Sequence, residues 1–343
     1  KGYYTHWITI QRDVTEQKNR ELEKDLVNAI SDIFHKSIDN DLTLCLSNLC
    51  EHIIQVGDFD LAEVWLPAID AKSINLVAHH AKGKAGTVFF KATKKITSCS
   101  LGEGLPGDVW ENKNMQIWEN IEGEWQVKRK VAAKKAGIAA MMGVPLIHKD
   151  EVIGVLILGT VKTKSALIQY IDLLKKLEVT IASELSQKKI EIELAQIFDF
   201  TPDLICMAGF DGYIKRINPA GLEMLGYSLE EVRSRPISSF LHEEDRLLTR
   251  ENQMKLYGGK NLKNFENRYV TKEGKVVWLS WTSTSSPAQG VVYAVAKNIT
   301  EEKNLRELNR QVGQLAKIGS WEYDAVNETI FWSDEVHQIY GTD

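Results

Sequence analysis

The sequence predicts an α+β chain in which antiparallel sheets flanked by helices are joined by helices of coiled-coil-like spacing. Three observations carry this. Strand-like runs such as FDLAEVWLPAID and SINLVAHHA read as pairs, and AAMMGVPLIHKDEVIGVLILG reads as a hairpin turning at Lys149-Asp150. Helical runs such as DLTLCLSNLCEHIIQV stand beside them, as in a layered α+β arrangement. One short pattern also recurs: IQRDVTEQKN (10–19) and VAKNITEEKN (295–304) each follow an apolar strand-like run and precede a charged helical one.

The recurring pattern marks the exit of a domain. Asp13 in one copy and Asn298 in the other can each N-cap the helix that follows, and Glu16 or Glu301, three residues on, completes a capping box. Thr15 and Thr300 recur in register between them. The helices that follow carry narrow apolar seams. The first has Leu22, Leu26, Ala29 and Ile33, and the second has Leu305, Leu308, Val312 and Leu315. A third run, 173–198, lines up Leu177, Ile181 and Leu185, although Lys188 interrupts a simple seam. Such spacing suits parallel dimerising linkers, so a homodimer through these helices is expected.

Bulk properties bound the function. A chain of 343 residues suggests about two or three domains. The composition, 43% hydrophobic and 26% charged, is that of an ordinary globular protein. A net charge of −5 gives no general attraction to nucleic acid or to an anionic membrane. No run of about 18 apolar residues is available for a membrane helix. The start at Lys1 implies an internal piece of a longer chain. The expectation is a cytoplasmic region, whose parent protein could still be membrane-anchored.

Candidate chemistry is sparse. Cys45, Cys50, Cys99 and Cys206 form no C-x-x-C pair, and none has a histidine at zinc spacing. His79 and His80 are neighbours on a strand, point to opposite faces and cannot chelate together. No metal site is expected. Cys99 precedes a helix start that could lower its pKa, and Cys206 lies on a strand; structural thiols are the expected reading of both. Trp278 and Trp281, three apart, face opposite sides of a regular strand. Gly102, Gly104 and Gly107 in SLGEGLPGDVW spell G-x-G-x-x-G, but the upstream FKATKKITSCS is too polar for the buried strand of a dinucleotide fold. Pro106 and Asp108 fit a first helical turn, so the stretch reads as a loop opening the short helix GDVWENK.

With these residues in hand, two family resemblances emerge. GEGLPGDVWENKN, followed by GVPLIHKDEVIGVLILG, resembles the GAF sensor family, in which a glycine loop leads into a helix and a hairpin closes the sheet. The segments D-G-x-I at Asp211, INPAGLEMLGYS, FLHEEDR, the hairpin turning at Glu273-Gly274 and the closing N-I-T-E together resemble the PAS sensor family. Residues 1–18 resemble the end of an earlier PAS domain and 318–343 the start of a further one. The expected domain map is a PAS end (1–18), linker helix (19–38), GAF domain (39–163), linker helix (164–196), PAS domain (197–300), linker helix (301–317) and PAS start (318–343).

The resemblance implies a function. No catalytic domain is recognised in the chain. His242-Glu243 lacks the proline context of a phospho-acceptor, and no ATP-binding loop or cyclase signature occurs. SRPISSFL carries no cysteine for a flavin adduct, and the flavin-contacting glutamine suggested by Gln11 belongs to a truncated domain. No cofactor is identified; an unknown small ligand in the GAF or PAS pocket is the expectation. The resemblance implies the sensory and relay region of a two-component sensor histidine kinase, with Asp13, Thr15, Glu16, Asn298, Thr300 and Glu301 relaying the signal. A response regulator would be reached through a kinase region outside this chain. The alternatives are the sensor region of a cyclic-di-nucleotide synthase and a non-catalytic dimerisation scaffold.

Overall fold

A computed structural model describes residues 15–36, 41–57, 59–119, 129–316 and 321–342. Asp13 lies outside the described residues. The chain divides into two compact units, Lys1–Glu193 and Leu194–Asp343.

In the first unit, α1 (Thr15–Lys36) and α2 (Leu42–Gly57) precede β1 (Leu61–Pro67) and β2 (Ser73–Ala81). Then come α3 (Gly83–Thr93), β3 (Ser98–Ser100), α4 (Gly104–Asn112), β4 (Gln116–Glu119) and α5 (Lys130–Ala136). The hairpin β5 (Ala140–His148) and β6 (Glu151–Thr160) follows, then α6 (Lys164–Ile168) and α7 (Ile171–Phe200), whose residues from Leu194 onward belong to the second unit. The strands form one antiparallel sheet in the order β3-β2-β1-β6-β5-β4. Its hairpin turns at Lys149 and Asp150, both with positive φ as a tight two-residue turn requires.

Alternation along β1 splits the interior in two. Ala62, Val64 and Leu66 face a cluster built with α1, α2 and α7. Leu61 and Trp65 face a second cluster with Phe89 of α3, Leu105 and Val109 of α4, and Ala132 and Ala133 of α5.

The packing of α1 and α7 corrects the dimer-seam expectation. The deepest positions of α1 are Leu26, Ile30 and Phe34, a 3.6-period face, whereas Ala29 and Ile33 are only half-buried. Leu177, Ile181 and Leu185 of α7 are buried in the same cluster, as are Leu174 and Ala182. An ion pair and a hydrogen bond tie the two helices: Lys176 Nζ lies 2.6 Å from Glu23, and Ser31 Oγ donates to Glu184 at 2.6 Å. Each buried Leu, Ile or Phe contributes roughly 1.5–3 kcal/mol to folding, so these faces stabilise their own domain. Lys188 is buried and reaches Glu191 with its ammonium at 3.1 Å. Further along α7, Ile190, Leu194, Ile197 and Phe200 are exposed.

The glycine loop closes on itself. Gly102 and Gly104 have positive φ, and a Cβ on Gly107 would meet the Ser100 carbonyl at 2.2 Å. The N–H groups of Gly102, Glu103 and Gly107 donate to Gly107, Ser100 and Glu103 carbonyls. These three donors are spent within the turn and are not turned outward to cradle a phosphate as in a nucleotide loop. Its strand β3 pairs antiparallel at the sheet edge, as the polar upstream sequence requires. The helix α4 begins at Gly104, three residues earlier than GDVWENK suggested.

In the second unit, β7 (Leu204–Gly209) and β8 (Ile214–Ile217) lead into α8 (Pro219–Leu225), α9 (Leu229–Ser234) and α10 (Arg246–Tyr257). Strands β9 (Leu262–Val270), β10 (Val276–Ser286) and β11 (Val291–Asn298) complete a five-stranded antiparallel sheet, ordered β8-β7-β11-β10-β9. Asn218 ties its beginning: fully buried, it accepts from the Ile205 and Gly221 N–H groups and donates to the Thr201 and Asp203 carbonyls. FLHEEDR does not start a helix at once; Glu243–Asp245 form a tighter 3-10 turn first. The reason is visible at Asp245, whose carboxylate accepts from the Arg268 backbone N–H at 2.7 Å and from its guanidinium at 3.0 and 2.6 Å. That guanidinium holds the Asp245 carboxyl below the usual aspartate range.

After the sheet come α11 (Thr300–Ala316), the hairpin β12 (Trp321–Asp324) and β13 (Thr329–Trp332), and α12 (Asp334–Tyr340). Leu305, Leu308, Val312 and Leu315 of α11 are all exposed. The hairpin likewise exposes Trp321, Tyr323, Ile330, Phe331 and Trp332.

Candidate functional site

The second unit contains a cavity of about 70 Å³. Its walls come from the concave face of the sheet and from α10. Cys206 and Ala294 supply the floor, Tyr269 and Trp281 the aromatic wall, and Thr249 and Asn252 the helix side. A polar chain crosses it. The Trp281 indole N–H donates to Asn267 Oδ1 at 2.8 Å, and Asn267 Nδ2 donates to Thr249 Oγ1 at 3.0 Å. Burial pushes the Cys206 thiol up to about 12 and raises the Tyr269 phenol, so both stay protonated at neutral pH. A protonated, buried thiol is a poor redox group. The cavity takes a few small atoms, well short of the roughly 300 Å³ of a drug-sized pocket.

The strand β10 connects this cavity to the exit. Trp281 faces the cavity, and Trp278 faces the other side, as their spacing requires. Around Trp278 the first turn of α11 is fastened to the sheet. The Trp278 N–H donates to Thr300 Oγ1 at 2.8 Å, and the Ile299 N–H donates to the Trp278 carbonyl at 2.9 Å. Lys303 lies 5.0 Å from the Trp278 ring centroid and pairs with Glu266 of β9 at 2.6 Å. Arg268 lies 5.2 Å from the same ring.

Asn298, the last residue of β11, accepts from the Thr300 N–H at 3.0 Å and from its hydroxyl at 2.6 Å. The cap therefore forms through Thr300. No described hydrogen bond brings Glu301 back to Asn298, so the reciprocal half of the expected capping box is replaced by the Thr300–Trp278 bond. Thr15 and Glu16 fall in the first turn of α1.

The first unit holds a second candidate site that sequence reading missed. Glu63, on the interior strand β1, is fully buried, and its carboxylate accepts from both terminal nitrogens of Arg129, one at 2.7 Å. The Trp65 indole N–H donates to the same carboxylate at 2.9 Å. The Arg129 guanidinium lies 5.2 Å from the Trp65 ring centroid and 4.7 Å from that of Phe89. Its Nε is buried without a hydrogen-bond partner among the described residues. Removing one member of such a buried pair costs about 3–5 kcal/mol. The two residues are 66 positions apart, and no local pattern announces the pairing. On the outer edge of the same sheet, β2 and α3 border a groove of about 530 Å³ lined by His79, His80, Phe90, Lys91 and Lys94. His79 stays on the Glu63 side, its ring 4.2 Å from that of Phe90, while His80 pairs opposite Ala62.

Comparison with known proteins agrees with this architecture. The GAF domain family matches residues 39–184, and the PAS fold family matches residues 214–298. The chain therefore carries a GAF domain followed by a PAS domain, in tandem: the sensory domains of a signalling protein. Among curated proteins, a stretch of 148 residues is 27% identical to "Probable diguanylate cyclase DgcE" of Escherichia coli K12. That match covers 40% of this chain and 13% of the cyclase's length. Among solved structures, the A. Aeolicus nlh2 GAF domain in an inactive state is 13% identical, covering 49% of this chain and 98% of its own, with a TM-score of 0.40. The PAS domain of an HTR-like protein from Haloarcula marismortui is 22% identical, covering 34% and 98%, with a TM-score of 0.31.

Proposed function

We propose that this chain is the sensory and relay region of a larger signalling protein, in which a small ligand in the PAS cavity acts on the exit helix α11. The supporting observation is the position of β10. Trp281 lines the cavity, and Trp278, on the other face of the same strand, holds Thr300 and Lys303 of α11. A ligand that displaces Trp281 from Asn267 would shift the strand to which the helix is fastened. Asn298, Thr300 and Glu301 form this relay turn, and Asp13, Thr15 and Glu16 form its counterpart at the end of an earlier PAS domain. The exposed seam of α11 would pair with its copy in a homodimer, and residues 318–343 would open a further PAS domain.

Two outputs are proposed. The resemblance to sensor kinases supports a histidine kinase acting on a response regulator. The similarity to the Escherichia coli cyclase supports a diguanylate cyclase instead. The full-length protein decides between them: incubation with labelled ATP yields a phosphohistidine in the first case, and incubation with GTP yields a cyclic dinucleotide in the second. In either case, the double variant Asn298→Ala/Thr300→Ala keeps its fold and loses the response of that output to ligand. A variant that responds normally overturns the relay.

A further inference from the structure

We infer that the Glu63–Trp65–Phe89 pocket of the GAF domain is a binding site for a small guanidinium compound, which Arg129 occupies as an internal stand-in. The chemistry of the pocket defines the ligand. A carboxylate with no exposure presents both oxygens to one planar fork, which matches a guanidinium and not a single-point ammonium. Two aromatic rings lie within 5.2 Å of the cation's centre, the arrangement that attracts weakly hydrated cations. The Trp65 indole N–H completes the carboxylate's hydrogen bonding and keeps it aimed. Three of the four components thus sit on the sheet and on α3, rigid whatever fills the pocket.

The fourth component is attached differently. Arg129 stands immediately before α5, a helix of only seven residues; its carbonyl accepts the Ala133 N–H at 3.0 Å, but its side chain makes no capping bond there. Its side chain is the more accessible member of the pair, 10% exposed against 0% for Glu63. It also fits the pocket incompletely, since its Nε–H is buried with no acceptor among the described residues. That third donor edge is where the arginine's own stem enters. A free guanidinium that enters where the arginine's stem now lies can present the same edge, two parallel N–H donors, to Glu63. Swinging Arg129 outward requires side-chain rotation and no rearrangement of the sheet. The pocket therefore exchanges one guanidinium for another, and exchange frees Arg129 and the start of α5.

The test uses the whole chain, labelled with 15N at the tryptophan indoles, and the Trp65 signal identified with Trp65→Phe. Methylguanidinium chloride is titrated against methylurea, its neutral analogue of the same shape. The expected result is a saturable shift of the Trp65 indole signal with methylguanidinium and none with methylurea. Arg129→Ala removes the internal competitor and tightens methylguanidinium binding about tenfold or more. Adding Glu63→Gln to that variant abolishes the binding. If the wild-type signal shows no saturable shift, or methylurea matches methylguanidinium, or Arg129→Ala folds and binds no tighter, the inference falls. Should Arg129→Ala fail to fold, the wild-type titration decides alone. No signalling output enters the readout, so the inference and the relay reading fail independently.

Discussion

Replacing Thr300 by valine, which keeps the shape and removes the hydroxyl, tests the relay turn at a single atom. In the wild-type protein that oxygen accepts the Trp278 N–H at 2.8 Å and donates to Asn298 Oδ1 at 2.6 Å. Trp278 is half-buried, so water can partly replace the lost acceptor, and the first bond is worth about 1 kcal/mol. The second belongs to a helix cap of similar worth. Loss of both weakens attachment of the first turn of α11 by about 1–2 kcal/mol, a factor of roughly 5–30 in its opening equilibrium. The PAS core does not share this loss, because Leu279, Trp281 and Ala296 are packed without Thr300. Hydrogen exchange followed residue by residue separates the two. Amides in the first turns of α11 should exchange roughly 5–30 times faster, while those of β10 and β11 near the cavity stay within about twofold. Equal acceleration throughout the sheet would mean that Thr300 is an ordinary stability contact. Unchanged exchange in α11 would mean that the helix is held by something other than this turn.

Phe34→Ala should destabilise the GAF domain by about 3–5 kcal/mol in denaturant titration, since the ring is buried against its own domain, whereas Leu308→Ala should leave folding within about 0.5 kcal/mol and act on self-association instead. Gly107→Ala should cost about 1–3 kcal/mol through collision with the Ser100 carbonyl, more than Gly137→Ala, where the penalty is about 1 kcal/mol of left-handed backbone with open space around it; thermal unfolding of the two variants gives the order. For Asp245, Arg268 lowers the folded pKa, so its stabilisation is complete above the unfolded carboxylate value near 3.9 and drains away as pH falls through the lowered folded value. Asp245→Asn should therefore flatten the acid limb of the PAS stability curve and cost about 1–3 kcal/mol at neutral pH.

What the sequence reveals follows from where the information lies. Turns are local, so Lys149-Asp150, Asp211-Gly212 and Glu273-Gly274 each announce their hairpins. The opposed faces of Trp278 and Trp281 follow from the strand period alone. The burial of α1 does not, because a coiled-coil seam and a 3.6-residue face can both be drawn through Leu26 and diverge within one turn. Leu26 belongs to both; only the tertiary partner selects Ile30 and Phe34 over Ala29 and Ile33. The tight turn at Glu243–Asp245 was hidden for the same reason, since the arginine that shapes it is 23 residues away. Glu63 and Arg129 are further apart still, and a glutamate within an apolar strand gives no sign of which cation it awaits. At the exit, Thr300 was identified as part of the recurring pattern, but its bond to Trp278 spans 22 residues and replaced the partner expected in Glu301.

The spacing of the two tryptophans on β10 has a consequence of parity. Because they stand three positions apart, one inward and one outward ring belong to a single stiff rod, and a push on one is a push on the other. Inserting or deleting one residue between them would bring both rings to the same side while leaving the strand as apolar as before. Composition would hardly register the change, yet the cavity and the helix would no longer share a lever. Length variation should thus be tolerated in the turn at Glu273-Gly274 and penalised within Trp278–Trp281, which makes an odd count, and not the identity of Leu279 or Ser280, the thing this strand must preserve.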